Sequence, residues 1–284
     1  NWQGWLVRDA GGGHGHLVLI MADVTARATI AQISEERAAF LSLISHEIKS
    51  PLTAIRGFAQ LATRATAGSE GATGRTARYL KAIDQQTERI VHLLGNLSDV
   101  ARLQGGRLSL NPAQFDLAAL VRRVIAQRPQ GPGVPDIEVA FSGDSLPVCA
   151  DQARIEQALT NLLANAEKYS PESQAIVVKL DCQGDSAHLT IRDRGIGIPR
   201  DELPRIFGRF YRATNGAAHG RGGLGLGLFI AQQIITRSGG QIYAESDMGR
   251  GSTFHIVLPT ARAHGARQQA AGAAASRSSA SRPS

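Results

Sequence analysis

The sequence predicts an α plus α/β fold, in which a helical hairpin that forms a dimeric four-helix bundle is followed by an α/β sandwich. The chain has 284 residues, the length of about two domains. Hydrophobic residues make up 43% of it, enough for a packed core and too many for a disordered protein. Apolar positions recur three or four apart in the first part of the chain, whereas helical and strand patterns alternate in the second.

The N-terminal residues predict two strands. Residues 4–10 and 16–23 carry the strand patterns, and a glycine-rich turn joins them. Because two strands alone are rarely stable, we expect them to be the end of a larger sheet. The sequence does not begin with Met and holds no apolar run of the roughly 20 residues that cross a bilayer. We interpret it as a cytoplasmic fragment, with any membrane anchor of the parent protein upstream.

Two long helices are predicted next. From Thr25 to Thr66 the apolar residues fall three or four apart, or at multiples of that spacing, and a polar break at 68–74 follows. In the second helix the spacing alternates between three and four, at Leu80, Ile83, Thr87, Ile90, Leu94, Leu97 and Ala101. These seven residues, called the seam below, are typical of helices that pack side by side. One hairpin leaves the seam partly uncovered, so we expect two hairpins to pair as a homodimer.

After Gly105-Gly106 and Asn111-Pro112 the patterns alternate. Helices are expected at 117–125, 155–168 and 226–238, and strands at 137–141, 175–180, 187–192, 241–245 and 252–258. This order, with adjacent strand pairs, predicts helices on one face of a mixed sheet. Residues 261–284 are rich in Ala, Ser, Arg and Gly and are expected to be disordered.

The net charge of +7 does not indicate a nucleic-acid-binding protein. Residues 261–284 hold four arginines and no acid, so they supply +4 and the rest of the chain only +3. Cys149 and Cys182 lie 33 residues apart, without C-x-x-C spacing or nearby histidine pairs. They argue against a disulfide scaffold and a zinc site, and we expect a reducing compartment.

The first long helix carries a candidate nucleophile, His46. A helical histidine is most often a plain surface residue. Here Glu47 adjoins it and can fix the ring tautomer by accepting a hydrogen bond from one nitrogen, which leaves the other free to attack. Pro51 lies five residues on and removes a backbone hydrogen bond, so we expect a local kink. The plain alternative is that Pro51 only bends a long helix.

A second group of polar residues shares one face of the helix expected at 155–168. Asn161, Asn165 and Lys168 recur at i, i+4 and i+7. Asn side-chain oxygens are neutral ligands for Mg²⁺ and suit an ion whose charge phosphates balance. The alternative is a solvated polar face.

Two glycine segments form the third group, DRGIG at 193–197 after a strand and GGLGLGL at 222–228 before a helix. Glycines before a helix N-terminus let backbone N–H groups approach phosphate oxygens. Asp193, at a strand end, can accept a hydrogen bond from an exocyclic amine such as that of adenine. Neither segment fits the dinucleotide-binding G-x-G-x-x-G arrangement, and the sequence contains no G-x-x-x-x-G-K-[ST].

Over about residues 38–259 the sequence resembles bacterial two-component sensor histidine kinases. The motifs that carry the resemblance are SHEIKSPLTAI at 45–55, NLLANAEKYSP at 161–171, DRGIGIP at 193–199, IFGRFYR at 206–212 and GGLGLGLFIAQQII at 222–235. The first is similar to the phospho-acceptor box, and the others to the boxes of a Bergerat-type (GHKL) ATP-binding domain. The domains so implied are the end of a PAS-like sensor domain at 1–25, a signalling helix at 26–38, a dimerisation and phosphotransfer domain at 39–105, an ATP-binding domain at 113–260 and a tail at 261–284.

The resemblance also implies a reaction. His46 is autophosphorylated from ATP and passes the phosphoryl group to an aspartate of a response regulator receiver domain. Asn165 ligates Mg²⁺, Asp193 holds adenine, and a lid of about residues 208–222 closes over the nucleotide. The implied catalytic residues are His46, Glu47 and Ser50, and the implied nucleotide-binding residues are Asn161, Asn165, Lys168, Tyr169, Asp193, Gly195, Gly197, Arg209, Gly223, Gly225 and Gly227.

Two residues depart from the family pattern. Gly208 stands where the family usually has an acid, so lid contacts are expected to differ. Ser50 stands four residues after His46, where Thr or Asn serves kinases that also dephosphorylate their partner. We therefore expect weak phosphatase activity.

Two other functions stay open at this point. ATPases with the same nucleotide fold, such as the DNA gyrase, mismatch-repair and Hsp90 groups, carry a water-activating Glu four residues before the Mg²⁺-binding Asn. Here that position is Asn161, which cannot act as a general base. The second alternative is a degenerate kinase that dimerises and relays signals without catalysis, and a nucleotide-binding assay separates it from an active kinase.

Overall fold

The computed structural model describes most of the chain. The described residues are 2–7, 18–23, 25–66, 73–105, 108–128, 131, 134–170, 174–218 and 223–263. They divide into two compact units, residues 1–87 and residues 88–284. The glycine-rich turn expected between the first two strands lies outside the described residues.

The first unit contains two strands, the first helix of the hairpin and the first half of the second helix. Strands β1 (Trp2–Val7) and β2 (Val18–Asp23) pair antiparallel. Helix α1 (Thr25–Thr66) has the predicted bounds and continues through the buried Pro51. Helix α2 (Thr73–Gln104) follows α1, and the ring of Tyr79 near its start stacks on that of Phe58 in α1, with the centroids 6.4 Å apart. The predicted hairpin is confirmed, and the unit boundary divides α2 at Glu88.

The second unit is a mixed sheet with helices on one face, as predicted. Its helices are α3 (Leu117–Ala126), α4 (Gln152–Tyr169), α5 (Thr214–Ala218) and α6 (Gly227–Arg237), and its strands are β3 (Ala113–Asp116), β4 (Ile137–Phe141), β5 (Pro147–Ala150), β6 (Ile176–Gln183), β7 (Ser186–Arg192), β8 (Gln241–Asp247) and β9 (Gly251–Pro259). The main sheet has the order β4-β6-β7-β9-β8. Its β4–β6 pair is parallel and its other pairs are antiparallel.

The core of the second unit lies between this sheet and helices α4 and α6. Side chains along a strand alternate between the two faces of the sheet. Every second residue of β6 is therefore buried, namely Ile176, Val178 and Leu180. Apolar faces of the two helices cover them, including Leu162 of α4 and Ile234 of α6, each at most 1% exposed. This packing leaves the opposite face of α4 available for polar residues.

Side-chain caps begin two of these helices. The Asp151 carboxylate accepts a hydrogen bond from the backbone N–H of Arg154 at the start of α4. Asp116 does the same for the N–H of Ala118 in α3, at 3.0 Å. Such caps satisfy N–H groups that have no partner inside the helix.

The structure adds two features that the sequence patterns did not predict. The four-residue strands β3 and β5 pair antiparallel in a separate small sheet, and four residues are too few to show a strand period. The tail expected to be disordered from 261 is ordered through Ala263, which is buried and whose N–H reaches Thr260 Oγ1. Residues 264–284 lie outside the described residues. Among the described helices, none is long and apolar enough to span a bilayer.

Candidate functional site

One pocket in the second unit brings most of the predicted site residues together. Its cavity measures about 230 Å³ and lies between α4, the segment after β7, the segment around α5 and the loop before α6. The predicted residues that line it are Asn161, Asn165, Lys168, Tyr169, Asp193, Gly197, Gly223, Gly225 and Gly227. Gly195 and Arg209 are not among its lining residues. The Arg209 guanidinium instead lies 5.8 Å from the centre of the Phe229 ring.

The polar face of α4 forms one wall of the pocket. Asn161 is 4% exposed, and its Nδ2 donates to the backbone carbonyl of Gly227 at 3.2 Å. It therefore fixes the start of α6 against α4. Asn165 is half-buried in the same wall, and the Lys168 ammonium lies 4.9 Å from the centre of the Tyr169 ring.

Asp193 is the buried acid of the pocket, at 3% exposure. Its Oδ1 accepts two backbone hydrogen bonds, from Gly195 at 2.8 Å and from Ser252 at 3.2 Å. Burial raises the pKa of this carboxyl above its ordinary value, against the opposing effect of these two bonds. Both bonds fall on one oxygen, so Oδ2 is the oxygen that can serve a ligand.

Close backbone packing requires glycine at two of the loop positions. Gly197 has φ +69°, and a Cβ there would lie 2.2 Å from the carbonyl oxygen of Asp247. Gly225 has φ +66°, and a Cβ there would lie 2.6 Å from the carbonyl oxygen of Tyr211. The glycines thus let the loops approach each other, in addition to opening backbone N–H groups to a ligand.

The segment predicted to be the lid is held at its base by Glu202, a residue that the motifs did not single out. Glu202 is buried, and its carboxylate accepts hydrogen bonds from the Tyr211 hydroxyl at 2.9 Å and from the N–H and hydroxyl of Thr214 at 3.0 and 2.5 Å. The bond from the Thr214 hydroxyl is the largest of the effects that lower the pKa of this carboxyl. The described part of the lid ends at residue 218, because residues 219–222 lie outside the description.

Two further contacts shape this segment. Asn215 Nδ2 donates to the carbonyl of Gly197 at 2.7 Å and so ties α5 to the loop after β7. A Cβ on Gly208, the residue that departs from the family pattern, would lie 2.9 Å from the carbonyl oxygen of Arg205. That contact is closer than side chains tolerate, so the turn itself favours glycine at this position.

Three residues of α2 also line the pocket, namely His92, Leu93 and Asn96. The sequence motifs gave no sign of them, because the predicted residues of the pocket begin at Asn161. Asn96 is 7% exposed, and its Nδ2 lies 3.2 Å from Nδ1 of His92. The second half of α2 is therefore a wall of this site.

The predicted catalytic residues lie in the first unit, on α1. His46 occupies the middle of the helix. Glu47, next to it, is 6% exposed, and Ser50 is exposed one turn further along. The orienting role of Glu47 stays a prediction.

Comparison with known proteins places both parts of the chain in one family. Residues 36–106 match the His Kinase A (phospho-acceptor) domain, and residues 150–262 match the histidine kinase-, DNA gyrase B- and HSP90-like ATPase domain. The first match contains His46, and the second contains Asn161, Asn165 and Asp193. The chain belongs to the sensor histidine kinase family.

Curated sensor kinases resemble the chain over most of its length. It is 30% identical to the sensor histidine kinase WalK of Bacillus subtilis over 252 residues, which cover 86% of this chain and 39% of WalK. It is 29% identical to the circadian input-output histidine kinase CikA of Synechococcus elongatus over 240 residues, 83% of this chain and 32% of CikA. The chain thus spans about a third to two fifths of the curated histidine kinases it matches.

Two solved structures, one of them the histidine kinase AdeS, share the architecture. Acinetobacter baumannii AdeS aligns with a TM-score of 0.53 and 25% identity over 76% of this chain and 98% of that one. Full-length ShkA, solved in complex with AMPPNP, aligns with a TM-score of 0.53 and 25% identity over 78% of this chain and 46% of that one. These likenesses agree with the predicted order of a helical hairpin followed by an α/β ATPase domain.

Proposed function

We propose that this chain transfers the γ-phosphoryl group of ATP to His46 and then to an aspartate of a response regulator receiver domain. The observation that carries the proposal is the pocket, which collects a buried carboxylate, an Asn/Lys helix face and a glycine loop in a chain that also bears a phospho-acceptor helix. The proposal includes a homodimer formed through the seam and a cytoplasmic location, where ATP is available.

Asp193 is proposed to select adenine. Its Oδ1 is occupied by the N–H groups of Gly195 and Ser252, so Oδ2 is the acceptor for the exocyclic amine of the base. Guanine carries a carbonyl oxygen, another acceptor, where adenine carries that amine. An ionised Asp193 therefore favours ATP over GTP.

The phosphate end of the nucleotide is proposed to lie against the polar face of α4. Asn165 and Lys168 line the pocket within one turn of each other, and Gly223 to Gly227 run into the N-terminus of α6. Backbone N–H groups at such an end bind phosphate oxygens. The half-buried Asn165 amide fits as the protein ligand of Mg²⁺, which when bound with phosphates would neutralise their charge.

Asn161 supports phosphoryl transfer to histidine over attack by water. Its amide nitrogen donates to the Gly227 carbonyl, and an amide cannot remove a proton from water. A neutral imidazole needs no such base, because one ring nitrogen carries a lone pair at neutral pH. In the proposed step, that nitrogen of His46 bonds to the γ-phosphorus while the bond to the ADP oxygen breaks, with Glu47 holding the other ring N–H.

The Asp193→Asn variant tests the adenine site. The carbonyl oxygen of the new amide is expected to keep the two backbone hydrogen bonds, which places an –NH₂ group where Oδ2 stood. That donor repels the adenine amine and suits the guanine carbonyl. By isothermal titration calorimetry, affinity for a non-hydrolysable ATP analogue is expected to fall about 100-fold, and affinity for the GTP analogue is expected not to fall.

Asp144→Asn is the matched control, because Asp144 is exposed outside the pocket. It should leave both affinities unchanged. If Asp193→Asn loses affinity for both analogues equally, or for neither, the proposed role of Asp193 is contradicted. If the wild type binds neither analogue, the kinase proposal itself is wrong.

A further inference from the structure

The second half of α2, residues 88–104, is fastened to the first turns of α4 by one carboxylate. Asp99 is 7% exposed. Its Oδ1 accepts a hydrogen bond from Nη1 of Arg154 at 2.8 Å, and its Oδ2 accepts one from Nε2 of Gln157 at 2.6 Å. Arg154 Nη1 also donates to Oε1 of Gln157 at 2.9 Å, so the three side chains form a closed ring of bonds. We call these three residues the Asp99 clasp.

The clasp determines which α2 residues face the nucleotide pocket. Asn96 and His92 lie one and two turns before Asp99 on α2 and line the pocket together with Asn161 and Asn165, which follow Gln157 on α4. From the clasp to the pocket, the chain runs backwards along α2 and forwards along α4, so these two helix segments are antiparallel. Asn96 and His92 reach the polar wall to which the proposed function assigns the phosphates.

The contact between Asn96 and His92 fixes the imidazole for hydrogen-bond donation. The amide nitrogen of Asn96 can only donate, so Nδ1 of His92, 3.2 Å away, must accept. A neutral His92 then carries its proton on Nε2. Asn96 is buried, so its contact with Nδ1 favours this tautomer of His92.

We propose that the second half of α2 is part of the nucleotide site, with His92 Nε2–H as a hydrogen-bond donor to the phosphates and Asp99 as the residue that positions this wall. The inference rests on the proposed function, because it needs a phosphorylated nucleotide in the pocket. The second half of α2 then has a nucleotide-binding role in addition to its packing in the hairpin.

The full chain with His92→Ala tests the inference by calorimetry with two probes, a non-hydrolysable ATP analogue and adenosine. Affinity for the analogue is expected to fall about tenfold, the effect of one hydrogen bond to a charged group. Affinity for adenosine, which has no phosphate, is expected to stay within about twofold of the wild type. Ser98→Ala, at an exposed position of α2 outside the pocket wall, should change neither value.

Asp99→Ala should also lower affinity for the ATP analogue while affinity for adenosine is kept, because it releases the segment of α2 that carries His92. The double variant Asp99→Ala/His92→Ala should bind the analogue no more weakly than Asp99→Ala alone, since the two changes remove one interaction. A purely structural role of Asp99 predicts instead that adenosine binding falls in parallel with analogue binding.

The inference is wrong if His92→Ala keeps the wild-type affinity for the ATP analogue, or if both probes lose affinity equally. These results differ from failure of the proposed function, in which the wild type does not bind the ATP analogue at all.

Discussion

At the scale of single residues, Glu202 shows how one carboxylate can hold a segment that borders a ligand site. Its carboxylate accepts a hydrogen bond from the Tyr211 hydroxyl and two from Thr214, one from the N–H and one from the hydroxyl. Both of these residues belong to the predicted lid. Tyr211 lines the pocket directly. Glu202 therefore positions one side of the nucleotide site without touching the cavity.

Glu202→Gln is expected to lower the free energy of unfolding at pH 7 by about 1–2 kcal/mol, because hydrogen bonds to a charged acceptor become bonds to a neutral one. The folded-state pKa of Glu202 lies below its ordinary value of 4.5. Its stabilising contribution is therefore complete above that value and shrinks as the pH falls through the lowered pKa. Urea denaturation at pH 7 and at about pH 4 measures the difference.

Glu138→Gln is the control, since Glu138 is exposed on β4. It should leave stability within about 0.5 kcal/mol of the wild type at both pH values. A Glu202→Gln effect that is absent at pH 7, or as large at low pH as at neutral pH, contradicts the positioning role.

At the scale of elements, α2 presents apolar residues that its own chain does not cover. Leu80 and Leu94 of the seam are 56% and 52% exposed, and Val91 between them is 64% exposed. By contrast Leu93, Asn96 and Val100 are buried. Three large apolar side chains along one helix are typical of an interface, and a second copy of the hairpin supplies a matching seam.

Leu80→Glu is therefore expected to weaken a dimer of the full chain at least about tenfold, because it places a charge in an apolar interface. Light scattering over a micromolar concentration series measures the change. Gln85→Glu adds the same charge at an exposed position outside the seam and should leave the dimer intact. A wild type that is monomeric at these concentrations contradicts the dimer proposal.

The long elements could be predicted from the sequence because their periods repeat many times. The bounds of α1 agree with prediction at both ends, and the polar face of α4 follows from a local spacing of three and four residues. Strands β3 and β5, with four residues each, are too short for a period to show. They form because they pair with each other, which no local pattern reports.

Contacts between distant residues set a second limit on prediction. Asp99 and Arg154 are 55 residues apart in the chain, so neither their pairing nor the place of His92 in the pocket wall is visible in a motif. The role of Glu202 could not be predicted either, because its partners Tyr211 and Thr214 follow after a turn whose path depends on packing. Asp193, in contrast, could be predicted, since the segment that follows its strand carries its own glycine signature.

At the scale of the whole molecule, the two halves of the proposed reaction belong to two compact units. The pocket lies in the second unit and His46 in the first. In the proposed reaction, the phosphoryl group ends on this imidazole and not on water. A phosphorus–nitrogen bond at His46 is the chemical signature that separates these outcomes.

The most direct test is to incubate the full chain with Mg²⁺ and ATP and to examine the phosphorylated protein. We expect a label on His46 that is released in acid and retained in alkali, unlike phosphoserine. His46→Gln should abolish it while affinity for an ATP analogue stays within about threefold, and His188→Gln, the matched control, should keep it. An acid-labile label that persists in His46→Gln, or steady release of phosphate by a wild type that is never labelled, would contradict the proposed reaction.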